Sequence, residues 1–354
     1  MLTRTGGRRI SWLLFKARPA LKRLDSYGKY CMASTQAPVN IAILDDYQNV
    51  ALKLADWSRL QGRSKVTVFN DHVSDPAALV ERLKPFEIIS VMRERTPLPR
   101  SIIEQLPNLK LIASNAPRNA SIDVAAAKEY GITVCGTGYS STATVELTWA
   151  LIHALMRNLP AEHASVRRGG WQLSVGEDLH GKTLGIVGLG NIGSLVAKVA
   201  HAFGMSVIAW SQNLTREQAE EHGARLVAKE ELFREADIVT VHLVLSKRTI
   251  GIIDASELEL MKPTAYLINT SRGPLITEGA LVAALKNHKI AGAALDTYGI
   301  EPLPLDHPFR SIENAITTPH IGYVTRGIYE TFYGHTVENI LAWLDGQPIR
   351  VMEG

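Results

Sequence analysis

The chain has 354 residues, 46% hydrophobic and 21% charged, an ordinary globular composition with length enough for two cores. Its formal charge of +3 is uneven: of 38 basic and 35 acidic side chains, residues 1–31 hold eight basic ones and the single acid Asp25, leaving 30 basic against 34 acidic, a net of −4. A mildly acidic body carries no electrostatic footprint for nucleic acid, and no run reaches the roughly 18 apolar residues of a membrane span.

Residues 1–39 read as a basic, acid-poor leader, with Met32-Ala-Ser-Thr as a natural start; a dispensable leader implies a cytoplasmic protein, a transit peptide an organellar one. The two cysteines, Cys31 and Cys135, supply neither a disulfide framework nor a metal-ligand set, so a reducing compartment and no metal are expected. From Ile41 short apolar runs (41–44, 88–92, 109–113) alternate with helical patterns (76–83, 99–106, 124–130), which predicts a parallel sheet wrapped by helices. The segment 144–158 is apolar nearly all round and reads as a helix buried on several sides, bridging two domains and touching a second subunit in a homodimer.

Next comes Gly188-x-Gly190-x-x-Gly193, placed between the apolar strands Leu184-Gly-Ile-Val187 and Val207-Ile-Ala-Trp210. In that setting the first glycine permits a tight turn, the second a close backbone approach to a pyrophosphate, and the third close helix–strand packing. Asn191 and Ile192 open the helix whose N-terminus would meet the phosphates, so the unit reads as an NAD(P) site. The second strand runs into Trp210-Ser-Gln-Asn-Leu-Thr-Arg216, with no acid to repel a 2′-phosphate. Ser211, Gln212, Asn213 and Arg216 are potential donors to one, so NADP is expected, with NAD as the alternative.

Further apolar strands follow at 238–243, 265–269, 291–295 and 315–317, with helical patterns at 256–261 and 278–287 between them and a last helix over 325–344 that returns to the first domain. Three of these strands run into Asn269-Thr-Ser-Arg272-Gly, Asp296-Thr-Tyr-Gly-Ile-Glu301-Pro and Thr318-Pro-His320-Ile-Gly. Ligands of open α/β sheets bind beyond the carboxyl ends of the strands, which makes Arg272, Glu301 and His320 candidates to converge. Reduction of a 2-oxo acid wants these types: a planar, permanently charged fork for carboxylate and carbonyl, a titrating imidazole to deliver a proton, and a carboxylate to orient it. Taken singly, each has an ordinary alternative as a cap, a turn residue or a structural histidine.

With Gly181-Lys-Thr-Leu-Gly185 and Met261-Lys-Pro263, these segments resemble, over about residues 41–350, the D-isomer-specific 2-hydroxyacid dehydrogenases, a family that includes glyoxylate/hydroxypyruvate reductases, phosphoglycerate dehydrogenase and formate dehydrogenase. The resemblance implies an α/β chain of two doubly wound parallel-sheet domains. A Rossmann NAD(P)-binding domain (144–321) would be inserted into a discontinuous flavodoxin-like substrate domain (40–143 and 322–354). It assigns catalysis to Arg272, Glu301 and His320, puts Asp296 near the nicotinamide carboxamide, and has Thr270 and His242 line the cofactor cleft.

One departure concerns the substrate loop, Ser114-Asn-Ala-Pro-Arg118-Asn-Ala-Ser-Ile-Asp123, where the family commonly has glycines. Pro117 removes an N–H while Asn115, Arg118 and Asn119 add side-chain donors, and Tyr323 brings an aromatic ring beside His320. The function expected is NADP-linked reduction of a small 2-oxo acid, with glyoxylate and hydroxypyruvate first. Alternatives are a dinucleotide-sensing interaction protein, formate oxidation, and an NAD-dependent D-2-hydroxyacid or phosphoglycerate dehydrogenase, the last disfavoured by a chain that stops at Gly354.

Overall fold

Apolar strands that alternate with helices are satisfied by sheets covered on both faces, and a computed structural model, describing residues 37–353, contains two of them. The expected leader up to residue 36, Cys31 included, lies outside the described residues. The first sheet contains β1 (Val39–Ile43), β2 (Ser64–Val68), β3 (Ile88–Val91), β4 (Leu111–Ser114) and β5 (Thr133–Cys135). All pairs are parallel and the order is β2-β1-β3-β4-β5, the flavodoxin-like winding. Its connections carry α1 (Pro76–Leu83), α2 (Arg100–Ile103) and α3 (Val124–Glu129).

Two helices, α4 (Thr142–Met156) and α5 (Leu159–Arg167), lead to the second sheet. Here β6 (Thr183–Val187), α6 (Asn191–Ala202), β7 (Ser206–Trp210), α7 (Arg216–Glu220), β8 (Arg225–Leu226), α8 (Lys229–Glu235) and β9 (Ile238–Val241) form one half. The other half holds α9 (Ala255–Leu260), β10 (Tyr266–Asn269), α10 (Glu278–Lys286), β11 (Gly292–Leu295) and β12 (Ala315–Thr317). The order β12-β11-β10-β9-β6-β7-β8 reverses direction between β6 and β9, which is where a doubly wound sheet opens its ligand crevice.

The pleat of the first sheet divides its side chains between two cores. Ala42, Ile89 and Val91 pack with Leu79 and Leu83 of α1 on one face. Ile41, Ile43 and Ile88 pack on the other with Phe332, Tyr333 and Ile340 of the last helix, α11 (Arg326–Leu344). Both ends of the described chain therefore build the first sheet's layers.

Three strands had no signal in the sequence. β2 is an edge strand with half-exposed residues, so it lacks a continuous apolar run, while β5 and β8 have three and two residues, too few for a period. α2 occupies four residues of the expected 99–106 helix. The segment expected to be apolar nearly all round, α4, buries Thr144, Val145, Thr148, Trp149, Ile152 and Met156 but leaves Glu146 and Ala150 exposed, so one stripe of it stays open.

Candidate active site

The three loops that carry Arg272, Glu301 and His320 leave the second sheet at one level, because Asn269, Leu295 and Thr317 are register partners at the ends of β10, β11 and β12. The first loop is fixed by its own turn: Asn269 accepts the Ser271 N–H (3.0 Å) and donates to the Arg272 carbonyl (2.9 Å), while the Ser271 hydroxyl donates to Val241 (2.8 Å). Arg272 emerges from that turn with Nη1 donating to the Ser271 carbonyl at 2.8 Å. Glu301 is anchored by the Tyr298 N–H (2.9 Å), and its other oxygen lies 2.6 Å from His320 Nδ1. With Nδ1 committed to a carboxylate, Nε2 is the ring nitrogen left for a ligand.

His320 itself sits at φ +53°, a conformation that costs a non-glycine residue about 1–3 kcal/mol. Asp296 holds it there. This carboxylate is fully buried, and it accepts the Thr318 hydroxyl (2.6 Å) and the N–H groups of Ile321 and Gly322 (2.8 Å each). Burial raises its pKa against the pull of those bonds.

Facing these loops across a cleft of about 1090 Å³ is the segment after β3, Arg93-Glu94-Arg95. Arg93 also has a positive φ, +52°, and its guanidinium lies 5.1 and 5.0 Å from the rings of Tyr139 and Tyr323. Glu94 reaches across to accept a 3.0 Å bond from Arg272 Nη2. Burial disfavours the Glu94 carboxylate, yet Arg93 and Arg272 hold its pKa below the ordinary value, so it is ionised. Sequence reading missed this segment, although three charges straight after a buried strand are the same signal that singled out Arg272.

The glycine fingerprint has the geometry a dinucleotide needs. Gly188 sits at φ +103° with the His242 backbone 2.8 Å from where a Cβ would stand, and a Cβ on Gly193 would lie 2.2 Å from the Gly188 carbonyl. No side chain caps the start of α6 at Gly190, Asn191 and Ile192, which leaves its N-terminus open to an anion. His242, Thr270 and Asp296 border the cleft. His242 Nε2 lies 2.9 Å from the Thr240 hydroxyl, and burial pushes its pKa down to about 3, which keeps it neutral. Thr270 is 2.8 Å from the Thr148 hydroxyl of α4. Ser211, Gln212 and Asn213 follow β7, and Arg216 is the exposed first residue of α7, capped by Thr215.

Of the four substrate-loop candidates, the structure brings two to the cleft, Arg118 exposed and Tyr323 buried. The Tyr323 ring stands edge-on to His320 with centroids 5.4 Å apart, and its hydroxyl has no hydrogen-bond partner. Asn115 and Asn119 are turned elsewhere. Asn115 is buried and accepts the Thr336 hydroxyl of α11 at 2.9 Å; Asn119 donates to the Arg93 carbonyl (2.6 Å) and Ser114 (3.1 Å), bracing the loops from behind.

Residues 149–322 match the family described as D-isomer specific 2-hydroxyacid dehydrogenase, NAD binding domain. The chain is 41% identical over 256 residues to a glyoxylate reductase from Aeropyrum pernix, covering 70% of this chain and 76% of that one. It is 42% identical to D-3-phosphoglycerate dehydrogenase from Methanocaldococcus jannaschii over 70% of this chain, but spans 48% of that protein's length. A crystal structure of a phosphoglycerate oxidoreductase from Vibrio cholerae superposes with a TM-score of 0.83 at 41% identity, over 87% of this chain and 99% of that one.

Proposed function

The chain belongs to the D-isomer specific 2-hydroxyacid dehydrogenase family, and from that premise we propose that its cleft reduces a small 2-oxo acid to the D-2-hydroxy acid with NADP in preference to NAD. The protein is an oxidoreductase acting on the CH–OH group of donors. The observation that carries the reading is the meeting of Arg272 with the Glu301–His320 pair at one cleft.

When bound, the nicotinamide cofactor would supply the hydride; Gly188, Gly190, Asn191, Ile192 and Gly193 would hold its pyrophosphate, with His242, Thr270 and Asp296 lining the cleft at its other end. Arg272 binds the carboxylate and polarises the carbonyl through donors not spent on Ser271 and Glu94. His320 delivers a proton from Nε2, while Glu301 fixes the ring and stabilises the imidazolium. Arg118 and Tyr323 shape the substrate side.

Preference for NADP rests on residues 211–216, where no acid stands and Arg216 is exposed at a helix start. In domain terms, 144–321 binds the cofactor and 40–143 with 322–354 the substrate. A homodimer suits the exposed apolar side chains of α5 and the following stretch, where Trp171 is 73% and Val175 98% exposed, rather than 144–158 alone. Of the two cysteines only Cys135 lies among the described residues, free and buried, which suits a cytoplasmic setting.

The test is oxidation of NADPH and NADH, followed by absorbance, against a panel of 2-oxo acids headed by glyoxylate and hydroxypyruvate, with His320→Gln as control. Turnover with NADPH that falls at least about 100-fold in the control supports the reading. Saturable cofactor binding without turnover of any acid overturns it in favour of a dinucleotide-sensing protein.

A further inference from the structure

Glu94 takes no step in the reaction, yet it is bonded to the residue that has to meet the substrate. Its Oε1 accepts the 3.0 Å bond from Arg272 Nη2, and its Oε2 lies 3.5 Å from Arg93 Nε, so one carboxylate is held between two guanidinium groups. Among the described residues, Glu94–Arg272 is the one ion pair that joins a loop of the first sheet to a loop of the second. The Glu94 end of it is firmly anchored. The Arg93 carbonyl accepts Asn119 (2.6 Å), the Arg93 guanidinium lies over the rings of Tyr139 and Tyr323, and two residues past Glu94 the Thr96 hydroxyl donates to Asp45 at 2.6 Å. Asp45 is buried, with His72 Nδ1 2.9 Å from its carboxylate, and its carbonyl accepts Arg95 Nη1 at 2.9 Å. The loops after β1, β2 and β3 are thereby tied into one frame that carries Glu94.

We infer that Glu94 is a positioning residue, which fixes the plane of the Arg272 guanidinium so that its unspent N–H groups point at the carboxylate and carbonyl of a bound 2-oxo acid. This rests on the reductase reading. An arginine side chain turns about several bonds, and one hydrogen bond from Nη1 to the adjacent Ser271 carbonyl leaves the guanidinium free to swing about it. A second bond, from Nη2 to a carboxylate anchored in the opposite sheet's loops, removes that freedom before the substrate arrives. By charge alone, a carboxylate beside Arg272 weakens the hold on an acid, because it offsets the cation. Orientation and charge therefore act in opposite directions when Glu94 is removed, and the sign of the effect separates them.

The experiment measures kcat/KM for hydroxypyruvate with NADPH and, by calorimetry, the affinity of the enzyme–NADPH complex for oxamate, a 2-oxo acid mimic that NADPH does not reduce. Both use the full chain, Glu94→Ala and Glu94→Gln, each alone and combined with Arg272→Lys. Glu94→Ala is expected to lower kcat/KM by about 10- to 100-fold and to weaken oxamate binding by about tenfold, against the sign that lost charge alone would give. Glu94→Gln, which keeps an acceptor for Nη2, is expected to lose less. NADPH affinity, read by fluorescence titration, is expected to stay at the wild-type value, which also shows that the variants are folded. In the Arg272→Lys background, where no guanidinium plane remains to be fixed, the Glu94 substitutions are expected to cost less than about threefold. The assignment falls if the losses multiply in the double variants, if oxamate binding tightens in Glu94→Ala, or if NADPH affinity declines in step with kcat/KM. A wild type that reduces no acid but keeps the coupling in oxamate binding removes the reductase reading and leaves Glu94 in its role. Turnover without coupling does the reverse, and a wild type that neither turns over nor binds oxamate ends both.

Discussion

Asp296 grips Gly322, two residues beyond His320, through a 2.8 Å bond from the glycine N–H to a carboxylate oxygen that is itself fully buried. A second oxygen takes Ile321 and Thr318, so one side chain ties the whole turn that presents the histidine. Replacing it by Asn puts an amide donor against one of two backbone donors. Asp296→Asn is expected to lower kcat by about 10- to 100-fold with KM for the cofactor little changed, measured by steady-state kinetics. A cofactor KM that rises as steeply as kcat falls would instead make Asp296 a cofactor contact.

Arg272 is the residue for which charge alone is not enough. It donates through two different nitrogens, to Ser271 and to Glu94, and has further N–H groups for an acid. Arg272→Lys keeps the charge and loses the fork, and is expected to cut kcat/KM by about 100-fold or more. Recovery of most of the activity by lysine would reduce Arg272 to a source of electrostatic attraction.

Gly193→Ala tests the cofactor end without touching the chemistry. Its Cβ would lie 2.2 Å from the Gly188 carbonyl, so helix and turn must separate. The expected cost is about 1–3 kcal/mol in urea unfolding, with NADPH affinity reduced at least about tenfold by fluorescence titration. Wild-type affinity in this variant would remove the fingerprint's role.

His242 makes a prediction about pH. Its folded pKa, pushed down by burial to about 3, lies below the ordinary 6.5 of the unfolded chain. Unfolded protein therefore binds the extra proton first as pH falls, so stability is full above about 6.5 and declines from there towards about 3. The share owed to this residue is on the order of 1–2 kcal/mol by about pH 5. Urea midpoints of wild type and His242→Asn should diverge in that direction below pH 6.5; parallel curves would mean the imidazole is protonated in the fold.

The catalytic candidates were legible because each lies a few residues past an apolar strand, and a doubly wound sheet sends such positions to one edge. Local pattern plus that rule made Arg272, Glu301 and His320 candidates, and the family resemblance assigned them to catalysis. Glu94 carried the same signal, a charge just past a buried strand, but its pairing with Arg272, 178 residues away in sequence, did not show there. Asn115 misled for the matching reason: a polar residue in a loop near the site reads as a substrate donor until Thr336, 221 positions on, is seen to occupy it. Long-range pairings of this kind decide which polar groups remain free for a ligand, and no short window contains them.

The flush ends of β10, β11 and β12 have a consequence for how this protein can vary. Since Asn269, Leu295 and Thr317 are in register, strand length fixes the height at which each functional loop begins. One residue added to any of these strands would turn its loop to the opposite face of the sheet and displace it by about 3.3 Å. Substitutions in the loops alter what the site accepts, whereas insertions in the strands dismantle it. Divergence of substrate choice is therefore open to this scaffold through point changes, and closed to it through changes of length in the strands beneath.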